Sequence, residues 1–119
     1  MRKICIFTST RAEWGLLQGV AKELHQADDC ELQILASGTH LSEKFGMTCN
    51  EIEADGFELA ERVDILESDD YSSLGICKIM GLALRRYGEA LSRLSPHIIL
   101  ILGDRYESFC LAAAAQILR

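Results

Sequence analysis

The amino-acid sequence predicts an α/β protein built around a doubly wound parallel sheet, with helices on both faces in three layers. Strand-like and helix-like patterns alternate four times along the 119 residues, and this alternation is typical of a parallel sheet. Segment 97–102 contains five consecutive branched apolar residues without polar alternation, which favours a strand buried on both faces. The usual strand order for such a sheet is 3-2-1-4.

The first part of the chain predicts a strand, a helix and a second strand. Residues 3–8 form a short buried strand, and hydroxyls in the polar turn 9–13 can cap the helix that follows. That helix is predicted over 14–25, because apolar residues recur there with helical spacing. The second strand is predicted over 31–37.

The middle of the chain predicts a loop, a short helix and an edge strand. The polar connection 38–46 is too long for a minimal turn, and such loops are often functional. A short helix is predicted over 47–54. The third strand is predicted over 57–66, where charged residues flank the apolar positions, and this pattern suits the edge of a sheet.

The last part predicts two helices around the fourth strand. The loop 68–72 offers N-cap side chains for the longest helix, over 73–94, whose apolar residues recur at gaps of three and four. Ser95 and Pro96 stop that helix and lead into the fourth strand. The final helix is predicted over 106–119.

Composition and charge argue against several classes of function. The formal net charge is −6, which disfavours a nucleic-acid partner or an anionic membrane surface. No apolar run is long enough to span a membrane, and the N-terminal run is too short for a signal peptide, so we expect a cytoplasmic protein. The five cysteines are scattered without metal-ligand spacing, so we expect reduced thiols and no metal site.

The end of the sequence predicts an incomplete domain. If the chain stopped at residue 119, strand 97–102 would be a fully apolar sheet edge, which natural domains avoid. The last helix also ends without a glycine cap. We therefore expect residues 1–119 to be one incomplete domain of a longer protein, the alternative being a partner or a second copy that covers this edge.

Charged side chains follow strands 1 and 4, whose outgoing helices should lie on opposite faces of the sheet. A ligand cleft opens beyond the strand ends at such a switch point. Arg11 stands before the first helix, where a guanidinium and free N–H groups suit a phosphate, although it could equally pair with Glu13. Asp104 directly follows the fourth strand as a candidate site carboxylate, the alternatives being a helix cap or an ion pair with Arg105.

Two further residues are candidates for the same cleft. Glu107, in the first turn of the last helix, either binds substrate there or only favours the helix dipole. His40, in the loop after strand 2, is a plausible ligand contact, although a lone histidine is more often a bystander. The sequence has neither the glycine fingerprint of a dinucleotide site nor the phosphate-binding loop of nucleoside triphosphatases.

Three separated motifs resemble one known family. They are TSTRAEWGLL at 8–17, SGTHLS at 37–42 with FGMT at 45–48, and LGDRYE at 102–107. Together they are similar to the amino-terminal domain of the hydrolysing UDP-N-acetylglucosamine 2-epimerases, in the branch that feeds sialic and legionaminic acid synthesis. The resemblance runs across all 119 residues. It implies a Rossmann-like domain, the N-terminal half of a GT-B-like fold, with the UDP-sugar bound between two domains.

The resemblance also implies a reaction and a role for each motif residue. UDP would be eliminated from UDP-N-acetylglucosamine to give a glycal, and water would add to give N-acetylmannosamine, without a cofactor. By motif position, Arg11, Gly15 and Arg105 would contact the diphosphate. Asp104 would face the sugar as a catalytic or orienting carboxylate, and His40 would line the sugar side.

Two family features are not found in these 119 residues: a His-x-x-Gly-Gly-Glu-type strand and the second domain. We therefore expect the 119-residue chain alone to be inactive, and the full-length protein to be a homo-oligomer. Three alternatives stay open. They are an epimerase of UDP-N,N'-diacetylbacillosamine, a non-catalytic domain that binds phosphate or UDP-sugar, and a GT-B glycosyltransferase domain.

Overall fold

The computed structural model describes residues 1–67 and 69–118. Its helices and strands are, in chain order, β1 (Arg2–Thr8), α1 (Arg11–Gln26), β2 (Cys30–Ser37), α2 (Cys49–Ala54), β3 (Glu61–Val63), α3 (Ser73–Leu94), β4 (Ile98–Leu100) and α4 (Tyr106–Leu118). Two short 3₁₀ turns, Gly38–Leu41 and Glu43–Phe45, occupy the predicted loop between β2 and α2. Two positions in the sequence predictions, Ser68 and Arg119, lie outside the described residues.

The strands form a parallel sheet in the order β3-β2-β1-β4, which confirms the predicted topology. The longest ladder joins β1 to β2, from Arg2 opposite Cys30 to Thr8 opposite Ala36. On its other side, β1 pairs with β4 through Ile4, Cys5 and Ile6. β1 is therefore the central strand on which both halves of the sheet depend.

Helices cover both faces of the sheet. Successive side chains of a strand point to opposite faces, so neighbouring residues of β1 pack against different helices. Ile6 packs on one face with Trp14 of α1 and with Ile52 of α2. Its neighbour Phe7 packs on the other face, in the cluster that contains residues of α3 and α4. There the ring of Phe7 meets the ring of Tyr87 edge-on, with centroids 5.3 Å apart. The three predicted layers are confirmed.

The third strand is shorter than the sequence predicted. Only Glu61–Val63 pair with β2, whereas the prediction covered 57–66. Phe57 leaves the ladder and packs edge-on against Trp14, with ring centroids 5.4 Å apart. Ile65 is fully buried in the core cluster beneath α3, so helix packing buries it without strand pairing. The apolar alternation indicated which side chains reach the core, but not which residues join the ladder.

The expectation that strand 97–102 is buried on both faces is met only in part: Ile99 and Leu100 pack against core clusters on opposite faces, but neither is fully buried. The ladder covers only Ile98–Leu100, and Ile98 is 42% exposed. β4 pairs with β1 on one side, and within residues 1–67 and 69–118 no strand pairs with its other side. The predicted position at a sheet edge is therefore confirmed, and this position is the reason that the strand is only partly covered.

The helix boundaries follow local capping. α1 begins at Arg11, three residues before the predicted start, because Thr10 is its N-cap and the Thr10 side chain accepts a hydrogen bond from the Glu13 N–H. α3 begins as predicted, after the cap Ser72, and ends where Ser95 adopts a left-handed conformation. No helix among the described residues combines the length and the apolar character that crossing a membrane requires.

Candidate functional site

The candidate site lies at the carboxyl ends of β1 and β4. These strands are neighbours in the sheet, and α1 and α4, which follow them, contribute to core clusters on opposite faces. The predicted switch point is therefore present. At such a point the two outgoing chains diverge and leave a crevice beyond the strand ends.

The turn after β1 is held by a buried carboxylate, Glu13. One oxygen, Oε1, accepts hydrogen bonds from the Ser9 N–H at 2.8 Å and from the Ser9 hydroxyl at 3.0 Å. The Glu13 N–H in turn donates to the Thr10 hydroxyl at 3.2 Å. The bond from the Glu13 N–H to Thr10 is one half of a capping box, but the carboxylate accepts from Ser9, the residue before the cap, and not from the Thr10 N–H. The other oxygen, Oε2, would lie 3.7 Å from a Cβ added to Gly103, so Glu13 links the turn after β1 to the loop after β4.

The loop after β2 closes against the same turn. Ser9 O accepts two hydrogen bonds from Thr39, from its N–H at 3.1 Å and from its hydroxyl at 3.0 Å. Gly38 has a φ of 60°, and a Cβ there would come within 3.0 Å of Ser9 O and 3.4 Å of Glu107 Oε2. Glycine is needed at this position for its conformation and for the close approach. The turn after β1, the loop after β2 and the first turn of α4 therefore come together around Ser9, Gly38 and Glu107.

Arg105 and Glu107 form an ion pair at the start of α4. The guanidinium Nε donates to Glu107 Oε1 and Nη2 donates to Oε2, both at 3.1 Å. The side chain of Glu107 is 1% exposed, whereas that of Arg105 is 47% exposed. The hydrogen bonds to Glu107 raise the pKa of Arg105 above its ordinary value, so the guanidinium stays charged. Both residues lie in the predicted cleft region.

Asp104 is exposed in the loop between β4 and α4. Arg105 pairs with Glu107, so the suggested ion pair between Asp104 and Arg105 is absent. Within the described part of the chain, no hydrogen bond or ion pair engages the Asp104 carboxylate. This carboxylate is thus accessible at the carboxyl ends of β1 and β4. Its catalytic role stays a prediction.

Arg11 makes a different contact from the one that the sequence suggested. Its Nε donates to both carboxylate oxygens of Glu51, at 2.8 Å and 3.0 Å, rather than pairing with Glu13. Arg11 and Gly15 border a groove of about 520 Å³ between α1 and α2, which Trp14 also lines. The structure therefore places these two predicted diphosphate contacts together in a groove between α1 and α2, whose lining residues include neither Asp104 nor Arg105.

His40 is fully buried. Its Nε2 lies 2.8 Å from Thr8 Oγ1 and its Nδ1 lies 2.9 Å from Thr48 Oγ1. Thr8 Oγ1 also lies 3.3 Å from Thr10 O, and both ring nitrogens of His40 are within hydrogen-bond distance of a threonine hydroxyl. Burial lowers the pKa of His40 to about 4. This neutral ring ties β1 to α2 across the loop after β2, and the prediction that it lines the sugar side stays untested.

Sequence reasoning missed the roles of Glu13 and Gly38. The sequence suggests Glu13 only as a surface partner of Arg11, yet the spacing Thr10-x-x-Glu13 is typical of a capping box and indicates a carboxylate at the turn. Gly38 has no local signal of this kind. Its requirement comes from Ser9 and Glu107, which are distant in sequence.

Comparisons with known proteins agree with the fold and the motifs. The family model for UDP-N-acetylglucosamine 2-epimerase matches residues 22–119, and the chain belongs to that family. It is 41% identical over 117 residues to the GDP/UDP-N,N'-diacetylbacillosamine 2-epimerase (hydrolyzing) of Campylobacter jejuni, covering 98% of this chain and 30% of that protein. It is 39% identical over 116 residues to the UDP-N,N'-diacetylbacillosamine 2-epimerase (hydrolyzing) of Legionella pneumophila, covering 97% and 30%.

Solved structures share the fold. A crystal structure of a UDP-N-acetylglucosamine 2-epimerase superposes with a TM-score of 0.82 at 19% identity, over 99% of this chain and 31% of that one. The UDP-GlcNAc 2-epimerase of Neisseria meningitidis bound to UDP-GlcNAc gives a TM-score of 0.76 at 19% identity, over 99% and 30%. The chain therefore spans about 30% of the length of these relatives.

Proposed function

We propose that the complete gene product is a hydrolysing UDP-sugar 2-epimerase, and that residues 1–119 supply one wall of its active site. The observation that carries this proposal is the meeting of the Arg11 turn and the Asp104–Arg105 loop at the β1–β4 switch point, in a chain of this family. Such a crevice is where α/β sheets of this kind bind nucleotides.

The charges of this wall suit the elimination of UDP. Loss of the diphosphate from C1 of the sugar develops negative charge on the leaving oxygen, and cations stabilise that charge. Arg11 and Arg105 are the cations that we assign to this task. Gly15 lies beside Arg11, and a Cβ there would meet nothing within 4 Å, so its surface is open to a ligand.

Proton transfer requires a carboxylate with access to the sugar. We assign this role to Asp104, because it is exposed and lies directly after β4. Removal of the C2 proton with departure of UDP gives the glycal, and addition of water then gives the free 2-epimer. General acid–base catalysis of this type contributes about 10²- to 10⁴-fold in rate. No redox step occurs, so the reaction needs no redox cofactor.

Two sugars are candidate substrates. UDP-N-acetylglucosamine is the first, from the motifs that the sequence contains. UDP-N,N'-diacetylbacillosamine is the second, and the identities of 41% and 39% to two epimerases named for that sugar favour it over the 23% identity to the Neisseria meningitidis UDP-N-acetylglucosamine 2-epimerase. Both substrates share the UDP group and the 2-acetamido group, so the same wall can serve either.

The test incubates the complete gene product with each UDP-sugar and measures free UDP and free 2-epimer. Release of both products in equal amounts is expected for one of the two sugars. UDP release that depends on an added acceptor would instead support a glycosyltransferase, and binding without turnover would support a non-catalytic domain. Residues 1–119 expressed alone are expected to give no turnover, and detectable turnover would contradict that expectation.

We further propose that the complete gene product is a cytoplasmic homo-oligomer. The support is the resemblance of the three sequence motifs to that family. Light scattering of the purified complete protein measures its mass. A monomer at micromolar concentration would contradict the proposed assembly.

A further inference from the structure

Glu107 is a charged group in an unusual position. It is fully buried, and burial of a carboxylate is costly unless a cation and hydrogen bonds compensate it. Arg105 provides that compensation through two hydrogen bonds of 3.1 Å each. A side chain that is 1% exposed presents almost no surface to a ligand. Its influence on a bound molecule must therefore pass through Arg105.

The geometry of the pair leaves part of Arg105 free. The carboxylate engages Nε and Nη2, so two of the five guanidinium N–H groups are used and three remain. The Arg105 side chain is 47% exposed, so these remaining donors can reach solvent. Its carbonyl also accepts the Phe109 N–H at 3.0 Å, which fixes the backbone of Arg105 to the first turn of α4. Arg105 is therefore fixed both through its backbone carbonyl and through its guanidinium.

The loop after β2 approaches Glu107 closely at Gly38. A Cβ added to Gly38 would lie 3.4 Å from Glu107 Oε2 and 3.0 Å from Ser9 O, so this glycine packs directly against the carboxylate. The positive φ of Gly38, 60°, allows that approach. Gly38 thus leaves room for the carboxylate beside the loop after β2, where a larger residue would crowd it.

We propose that Glu107 is a positioning residue for Arg105, which it holds so that the remaining guanidinium N–H groups face the diphosphate of the bound nucleotide. This inference rests on the proposed function. It assigns Glu107 no direct contact with substrate, and so differs from the expectation that Glu107 is a substrate-binding residue. A carboxylate fixed to Nε and Nη2 orients the planar guanidinium, which suits it to bidentate binding of phosphate.

The test is a double-mutant cycle in the complete gene product, with E107Q, R105K and the double variant. Calorimetry measures the dissociation constants of UDP and of uridine. We expect E107Q to weaken UDP binding by about tenfold, in line with the value of a hydrogen bond to a charged group, and to leave uridine binding within about twofold. In the R105K background, E107Q should change UDP binding by less than about twofold. Equal losses in both backgrounds, or no loss in E107Q, would overturn the positioning role.

Two controls separate positioning from folding. The Glu61–Arg93 pair has the same form, with Arg93 Nε and Nη2 both donating to the carboxylate, and it joins β3 to the last turn of α3. E61Q is therefore expected to leave UDP binding unchanged. Thermal melting of every variant identifies loss of folding. If E107Q does not fold, E107D replaces it, because the shorter side chain keeps the charge but withdraws the carboxylate from Arg105, and the same tenfold loss is expected.

A measurement without ligand distinguishes this inference from the proposed function. In ¹⁵N-edited NMR spectra, a restrained Arg105 gives an Nε–H signal protected from solvent exchange, and E107Q should remove that protection. If UDP does not bind to the wild-type protein, the proposed function and the diphosphate assignment fail together, while the NMR signal still decides whether Glu107 restrains Arg105. If UDP binds and the wild-type Nε–H exchanges freely, only the positioning role fails.

Discussion

Two arginines border the candidate site, and they are held in different ways. Arg11, on the α1 side, has a side chain that is 72% exposed and pairs with Glu51, which is 46% exposed. Arg105, on the β4 side, pairs with a carboxylate that is 1% exposed. An exposed ion pair contributes about 0–1 kcal/mol, because water and salt screen it. Removal of one partner of a buried pair costs more, because the remaining charge lacks compensation.

The difference teaches that one cation is fixed and the other is movable. Arg105 is tied to the turn of α4 and to the loops that meet at Glu107. Arg11 can leave Glu51 at little cost and turn toward a ligand. A binding site that contains both kinds of arginine can position the ligand with the restrained guanidinium. The exposed guanidinium can then reorient to contact the ligand after it binds.

The largest expected effect concerns the loop that carries the fixed cation. Asp104→Asn in the complete gene product should lower turnover by about 10²-fold or more, since an amide cannot transfer the proton. The melting temperature should not change, because the Asp104 side chain is exposed. The measurement is the rate of UDP release at saturating UDP-sugar. Asp69→Asn, another exposed carboxylate, is the control, and equal rates for the wild type and Asp104→Asn would end the catalytic assignment.

A fully buried histidine on the β1–β2 side provides the second test. Burial lowers the pKa of His40 from 6.5 to about 4, so the unfolded chain takes up a proton at a pH where the folded chain does not. Its contribution to stability is present above pH 6.5 and is lost as the pH falls toward 4. Between pH 7 and pH 5, this contribution should decrease by about 2 kcal/mol.

Urea unfolding at the two pH values measures that decrease. His40→Gln should show a smaller pH dependence than the wild type, because glutamine does not titrate. His25→Gln, the same substitution at an exposed position, is the matched control for the loss of an imidazole. Identical slopes for the wild type and His40→Gln would show that the ring is not held neutral.

The two arginines should contribute differently to the stability of the fold. Arg105→Ala should lower the free energy of unfolding by about 1–2 kcal/mol, a value reduced from that of a fully buried pair because the guanidinium is half-exposed. Arg11→Ala should lower it by less than about 1 kcal/mol. Urea unfolding of the two variants tests the ranking. A larger loss in Arg11→Ala would reverse the assignment of the fixed and the movable cation.

The smallest expected effect concerns the partner of the movable cation. Glu51→Gln should change the free energy of unfolding by less than about 0.5 kcal/mol. It should leave the affinity for UDP unchanged or increase it by up to about twofold. The reason is that Arg11 would no longer have to break its ion pair with the Glu51 carboxylate before it binds the diphosphate. Calorimetry on the complete gene product measures the affinity. A loss of affinity after Glu51→Gln would show that this carboxylate supports nucleotide binding instead of competing with it.

Much of the architecture could be predicted from local patterns. Alternating strand and helix signals were sufficient for the order β3-β2-β1-β4, and Ser72 could be recognised as a cap from its residue type. The length of β3 could not be predicted in this way. Phe57 and Ile65 are buried because they pack against α1 and α3, although neither residue pairs with β2. Hydrophobic patterns indicate burial, and burial alone does not distinguish a paired strand from a segment packed beneath a helix.

The candidate site shows the same division. Position in the chain was enough to bring Arg11, Asp104 and Arg105 to the ends of neighbouring strands, because parallel topology places those ends together. Their partners were not predictable from position. Arg11 lies beside Glu13 in sequence but pairs with Glu51 in space, since the Glu13 carboxylate is already engaged by Ser9.

The sequence by itself determined the fold class and the residues at the strand ends, because these depend on periodicity and caps, which are local properties. The strand order was predicted from the order that is usual for such sheets. Only the tertiary structure decided which charges are buried and which are free. Gly38, Ser9 and Glu107 belong to three separate parts of the chain, and they come together only after the sheet has formed. The distinction between a fixed and a movable arginine therefore depends on long-range packing and charge burial, which no local pattern contains.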